Sequence, residues 1–344
     1  MTEKQWDILL RVVSGEKIDP LPVGFIIDSP WVPGWSGISK REYFCSDSAW
    51  LATNLKACDT FPEIIFIPGF WSEYGMCTEP SAFGAKCSWP VEELPHAARI
   101  VTTPADAAKV EKPDVENDGM LPFMIERLRQ TQPIIEEHGH SIKFAVTRGP
   151  LNIASFLMGT TELMMGFYTD REDCEKFLNT ITEFVIDWIA LQKKHFPSID
   201  AILMLDDIVG FVGDDDYMAF AHPYLKRIYD SCDFSVKAFH NDAPGLVCAP
   251  HLADLGVNLF NFGFEHGIDE MRELCGPSVA LLGNLPPRDV LAGKPADEVC
   301  VEARKMVEGV KSRDGVLFSC GGGMPQNVST EQIEAFCAGV LGGA

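Results

Sequence analysis

A chain of 344 residues and 38.0 kDa is long enough for one α/β barrel or two ordinary domains, and its 46% hydrophobic and 23% charged residues allow a large core. Lys plus Arg number 28 against 50 Asp plus Glu, a formal charge of -22, so the surface repels polyanions and a general nucleic-acid binder is excluded. A substrate with many carboxylates is disfavoured unless a local Arg cluster overrides that field.

The chain opens MTEKQWDILLRVV, which has no basic stretch followed by an apolar core. It reads as a short amphipathic helical extension and not as a secretory signal. No run of 18 apolar residues follows, so no membrane span is expected. The 11 cysteines are scattered singly with no CxxC pair. They read as reduced thiols of a cytoplasmic protein, most of them core residues.

Eight strand-like runs follow in order: 22–28, 63–69, 142–149, 200–207, 234–242, 257–265, 278–284 and 315–322. Most are continuously apolar, as suits strands buried on both faces of a parallel sheet. Between them lie amphipathic helical patterns. In 172–194, Phe177, Ile181, Phe184, Val185, Trp188 and Ile189 recur every three or four residues. Asp214-Asp215-Asp216 is expected to cap a helix. Ser329-Thr330-Glu331-Gln332 is a capping box that opens the last helix. The expectation is a single (β/α)8 TIM barrel over 1–344, with 70–118 as an elaborated loop near the barrel mouth. An open doubly wound sheet is the alternative, but GxGxxG and GxxxxGK[ST] are both missing.

In such a barrel, chemistry sits where strands end. Here those ends carry Asp28, Arg148, Asp206, Asp207, His240, Asp242, Glu265, Asn284 and Cys320. His240 and Asp242 are two apart on an extended segment, so both can face the barrel axis. Cys320 opens a run of three glycines, which lets the backbone turn sharply. One imidazole, one thiolate and one or two carboxylates from His240, Asp242, Glu265 and Cys320 would suit tetrahedral zinc. Asp206 or Asp207 is expected to orient His240 or the substrate. Arg148 is expected to pair with one of these aspartates, and Asn284 to offer a hydrogen bond into the pocket. Trp31 and Trp35 in the first loop, with Phe70, Trp71 and Tyr74 after the second strand, read either as loop packing or as a pocket wall.

Several stretches resemble the uroporphyrinogen decarboxylase superfamily, which folds as a (β/α)8 barrel. They are 155–184, the Asp206-Asp207 strand end, His240-Asn241-Asp242, GNLPP at 283–287, and 320–336. One branch holds the porphyrinogen decarboxylases, which bind an octacarboxylate with an N-terminal motif containing two arginines. The matching stretch here, residues 28–37, contains no arginine. The other branch holds cobalamin-dependent methyltransferases. Their zinc ligands are a His-x-Cys pair after the fifth strand and a Cys in a glycine-rich turn after the eighth. A glutamate after the sixth strand can take the remaining place. His240, Cys320 and Glu265 match this pattern, while Asp242 stands where that family has its second Cys. A carboxylate in place of a thiolate hardens the ligand set and suits an oxygen leaving group. The resemblance therefore implies a zinc-dependent corrinoid methyltransferase acting on a methyl ether, an amine or a thiol, with O-demethylation as one form. Its cobalamin is expected on a partner corrinoid protein that docks over the barrel mouth. A cofactor-free decarboxylase and a non-catalytic binding protein on the same fold are the alternatives.

Overall fold

The computed structural model describes residues 1–243 and 246–343. Each of the eight sequence runs holds a strand of the barrel, the seventh strand ending one residue past its run. They are β1 (Gly24–Ile26), β2 (Ile65–Ile67), β3 (Phe144–Arg148), β4 (Ala201–Leu205), β5 (Val236–Asn241), β6 (Leu259–Phe262), β7 (Ala280–Leu285) and β8 (Val316–Cys320). Strands β3 to β8 pair in chain order as one parallel six-stranded sheet, and β1 pairs with β2 in parallel. Parallel bridges Val23–Phe318 and Ile26–Gly323 join β1 to β8. The result is an α/β TIM barrel.

Between β2 and β3 no ladder forms among the described residues. The exposed edge of β3 must find partners elsewhere, because buried backbone groups are costly to leave unpaired. Gln192, buried on helix Arg171–His195, supplies them. Its Oε1 accepts from Val146 N at 3.0 Å and its Nε2 donates to Val146 O at 3.0 Å. Glu79 Oε1 accepts from Arg148 N at 2.9 Å. One amide side chain and one carboxylate thus stand in for a neighbouring strand.

Strand alternation sorts the side chains into two layers. Ile26, Ile67, Val146, Leu203, Ala238 and Leu282 belong to the cluster inside the barrel. Phe25, Phe66, Met204, Phe239, Leu281 and Phe318 belong to the layer between strands and helices. The N-terminal helix Glu3–Val13, held by a Thr2–Gln5 capping box, closes the lower end. Its Trp6, Leu9 and Val12 join the inner cluster, a burial worth roughly 1.5–3 kcal/mol per large side chain. The segment 70–118 carries a 3-10 turn at Gly75–Cys77, the helices Thr78–Ala82 and Pro104–Ala107, and an antiparallel pair of Cys87–Ser88 with His96–Ala97. The stripe expected over 172–194 is buried as one face of Arg171–His195, and Ser329 and Gln332 form the capping box of Thr330–Gly342. The three aspartates 214–216 lie inside the first turn of their helix, with Gly213 at the cap position instead. There they still complement the positive end of the helix dipole. No helix among the described residues is long and apolar enough to cross a membrane.

Candidate metal centre at the barrel mouth

The same alternation decides what reaches the barrel axis at its upper end. On β5 the inner residues are Val236 and Ala238, so His240 and then Asp242 continue that row. On β6 Leu259 is inward, and Asn261 follows it. Asn261 Nδ2 donates to Leu282 O at 2.8 Å, which turns its Oδ1 toward His240 Nδ1 at 2.6 Å. That network assigns the imidazole hydrogen to Nδ1 and leaves the Nε2 lone pair free. Nε2 faces Asp207 Oδ1 at 3.5 Å and Asp242 Oδ2 at 4.0 Å. A lone pair opposite two carboxylates is repulsive unless a proton or a metal cation lies between them.

Asp207, His240 and Asp242 each offer one ligand atom, and these atoms all lie within 4.8 Å of one another. Bond lengths of 2.0–2.2 Å around a tetrahedral ion place ligand atoms about 3.4 Å apart. The triad is therefore close to metal-binding dimensions. Asp207 Oδ1 also accepts from Asp242 N at 3.3 Å, which ties the two acids together. Asp242 packs on the glycine turn. A Cβ at Gly322 would fall 2.4 Å from Asp242 Oδ2, and Gly322 has φ +80°. Desolvation raises the pKa of Asp242, and the Asp207 charge adds to this, while His240 and Arg288 oppose it. Asp28, Leu205, His240, Asp242, Arg288 and Met324 all line one cavity of about 240 Å³.

A second polar group lies toward β2 and β3. The buried guanidinium of Arg148 pairs with Glu73, lies 3.7 Å from Glu79, and sits 5.8 Å from the Trp71 ring centroid. Burial raises the Glu73 carboxyl pKa against the pull of Arg148. Burial also pushes Asp28 well above the usual carboxylate range, and the Glu73 charge adds to that.

A family model described as uroporphyrinogen decarboxylase (URO-D) matches residues 69–340. The chain belongs to this family. It is similar to the uroporphyrinogen decarboxylase of Chloroherpeton thalassium, with 25% identity over 273 residues covering 74% of each chain. It is also similar to the uroporphyrinogen decarboxylase of Actinobacillus succinogenes, with 24% identity over 272 residues covering 75% of this chain and 74% of that one. Among solved structures, a methyltransferase from Methanosarcina mazei superposes with a TM-score of 0.80 and 20% identity, covering 96% of each chain. That likeness shows the fold this family member shares with it.

Several residues singled out in the sequence take other positions. Cys320 follows Val316 and Phe318 onto the helix-facing side of β8, where it is fully buried. Desolvation pushes its thiol up to about 12, and Sγ contacts Gly322 O at 3.8 Å. Glu265 is exposed, and its carboxylate lies over Gly263. Among the described residues, no group of three ligand atoms within 4.8 Å contains Cys320 or Glu265. Asp206 does not orient His240 through its side chain. It points outward, accepting from Leu151 N at 2.9 Å and Asn152 N at 3.0 Å at the start of helix Pro150–Met158. Burial raises its pKa well above the usual value, while these backbone donors oppose that shift.

Asn284 donates to His266 O at 2.5 Å and Gly263 O at 3.3 Å, so it holds the loop after β6. Arg148 meets glutamates and not the aspartates expected from the sequence. The aromatic residues do not wall the cavity that holds His240. Trp31 donates to Val328 O and stacks on Trp35 at 4.9 Å, and Trp35 donates to Thr330 Oγ1, so both pack under the last helix. Trp71 lies inside the barrel, and Tyr74 packs against Phe44 and Trp89. Asn261 and Arg288 were not singled out in the sequence. A polar residue between Phe260 and Phe262 in the run 257–265 was the available signal for Asn261. Nothing local marked Arg288.

Proposed function

We propose that this chain is a metal-dependent methyltransferase that moves a methyl group between a small donor or acceptor and a cobalamin carried by a partner corrinoid protein. The observation that carries the reading is the free Nε2 of His240 directed at Asp207 and Asp242 inside the mouth cavity. These three residues would hold a zinc ion. When bound, zinc would act as a Lewis acid on the methyl-bearing heteroatom, and a set of one imidazole and two carboxylates keeps it hard, which favours an ether or amine over a thiol. Asn261 fixes the imidazole orientation. Asp28, whose carboxyl pKa burial pushes upward, lines the same cavity and can meet the departing heteroatom.

The decarboxylase reading, which the names of the sequence relatives suggest, is less well supported by the site. Size does not decide the matter, because a cleft of about 820 Å³ shares Pro30, Arg288 and Pro325 with the inner cavity of about 240 Å³, but charge does. Three of its neighbouring side chains are acids, Asp28, Asp207 and Asp242, and Arg288 is the one basic residue in its lining. Burying several substrate carboxylates there would leave most of them without a cation.

Elemental analysis of purified protein tests the site, and methyl transfer to cob(I)alamin tests the activity. About one zinc per chain is expected, lost in His240→Ala and Asp207→Ala. Equal metal content in wild type and both variants would remove the centre. Carbon dioxide release from a porphyrinogen without methyl transfer would favour the decarboxylase.

A further inference from the structure

The inner cavity has a mixed lining, with Asp28, His240, Asp242 and Arg288 set among apolar side chains. Pro30, Pro287 and Pro325 form rigid flat walls, with Leu205 and Met324 beside them. Such a slot suits a small, flat or compact body, with its polar ends fixed by the few charged groups. Asp242 of the metal centre lines the slot together with His240. Arg288 shares this lining, near enough to Asp242 to oppose the rise in its pKa, and it follows β7 through Pro286-Pro287, two residues whose rings fix φ and so limit where the side chain can start.

Arg288 also borders a larger cleft of about 820 Å³, which shares Pro30 and Pro325 with the inner cavity. It therefore stands at the neck between the two spaces. Arg148, the other arginine carried by a strand end, is neutralised by Glu73. Among the described residues, Arg288 has no carboxylate within 4.0 Å. What sets Arg288 apart from other arginines outside ion pairs is its place, in the lining of both the inner cavity and the outer cleft. The anion it faces across the cavity is Asp242, and that acid is already engaged with Asp207 and His240.

We propose that Arg288 anchors a carboxylate on the substrate, so that the methyl-bearing small molecule is an organic acid held with its anionic end at the neck and its heteroatom toward His240. The proposal rests on the methyltransferase reading and narrows its substrate class. Two physical constraints lead to it. The acids around the metal centre repel a substrate carboxylate, and a guanidinium fork binds a carboxylate through two parallel hydrogen bonds. One cation outside the metal triad thus fixes both binding and orientation. A lysine at position 288 would keep the charge and lose the fork.

The test uses two matched pairs of probes on the purified full chain, without corrinoid: 4-methoxybenzoate against 4-methoxybenzamide, and methoxyacetate against methoxyacetamide. Binding is read by calorimetry. The acid of at least one pair should bind about tenfold or more tighter than its amide, as expected for a charge-assisted pair. Arg288→Met should abolish that preference without changing amide binding, and Arg288→Lys should retain part of it. Arg288 is exposed, so a matching melting temperature will show that both variants fold. No acid preference in either pair, or a preference that survives Arg288→Met, overturns the anchor. Failure of this proposal and of the activity reading are separable. Arg288-dependent acid binding without methyl transfer to cob(I)alamin sinks the activity and keeps the anchor. Methyl transfer without acid preference does the reverse.

Discussion

Asn261 bonds to the imidazole ring and not to the ion, so replacing it tests whether the centre is built as described. Its Oδ1 receives the hydrogen of His240 Nδ1 at 2.6 Å while its Nδ2 satisfies Leu282 O at 2.8 Å. Asn261→Ala removes both bonds and leaves two buried polar groups without partners, at about 1–3 kcal/mol each. The ring is then free to rotate or to move its hydrogen to Nε2, where it would block ligation. Loss of such an outer partner typically weakens metal binding about 10–100-fold. A competition titration against a chromogenic zinc chelator should show this drop, alongside a melting temperature lowered by several degrees. Asn261→Asp should keep the acceptor and restore most of the affinity. Zinc affinity unchanged in the folded Asn261→Ala variant would refute the claim that His240 Nε2 is a ligand.

Cys320→Ala should leave zinc content intact and cost about 1 kcal/mol in a urea melt, as for removal of one buried methyl-sized group; a loss of zinc would mean that the thiol ligates after all. Gly322→Ala brings a Cβ to 2.4 Å from Asp242 Oδ2 at φ +80°, so zinc should be lost while circular dichroism stays native. Retained zinc would show that Asp242 is dispensable. Gln192→Leu leaves Val146 N and O unpaired on the open edge of β3, and an unfolding free energy lower by about 2–4 kcal/mol is expected. A neutral result would mean that this edge finds other partners. Desolvation lowers the His140 pKa from 6.5 to about 4. Between those values the unfolded chain holds a proton that the folded chain refuses, so stability rises with pH from about 4 and levels off above 6.5. Urea midpoints at pH 4.5 and 7 should differ less in His140→Phe than in wild type.

Much of the architecture was legible in the residues alone. Eight short apolar runs separated by amphipathic stretches imply parallel strands covered by helices, because only strands buried on both faces are apolar throughout. His240 and Asp242 were readable as partners because two residues apart on an extended chain means one side. The same property hid the rest. A strand apolar on both faces carries no alternation, so nothing in FSCGGG told that Ser319 faces the axis and Cys320 the helices. The phase of β8 came only from its pairing with β7. Asp206 and Asp207 were likewise indistinguishable by type. Tertiary packing put the first on a helix terminus and the second beside His240. Glu73 and Glu79 reached Arg148 only because the barrel leaves a seam between β2 and β3, and Arg288 reached the neck only because a loop after β7 folds over the mouth. Periodicity along the chain determined which segments are strands and helices, and contact across the chain decided which ends of them meet.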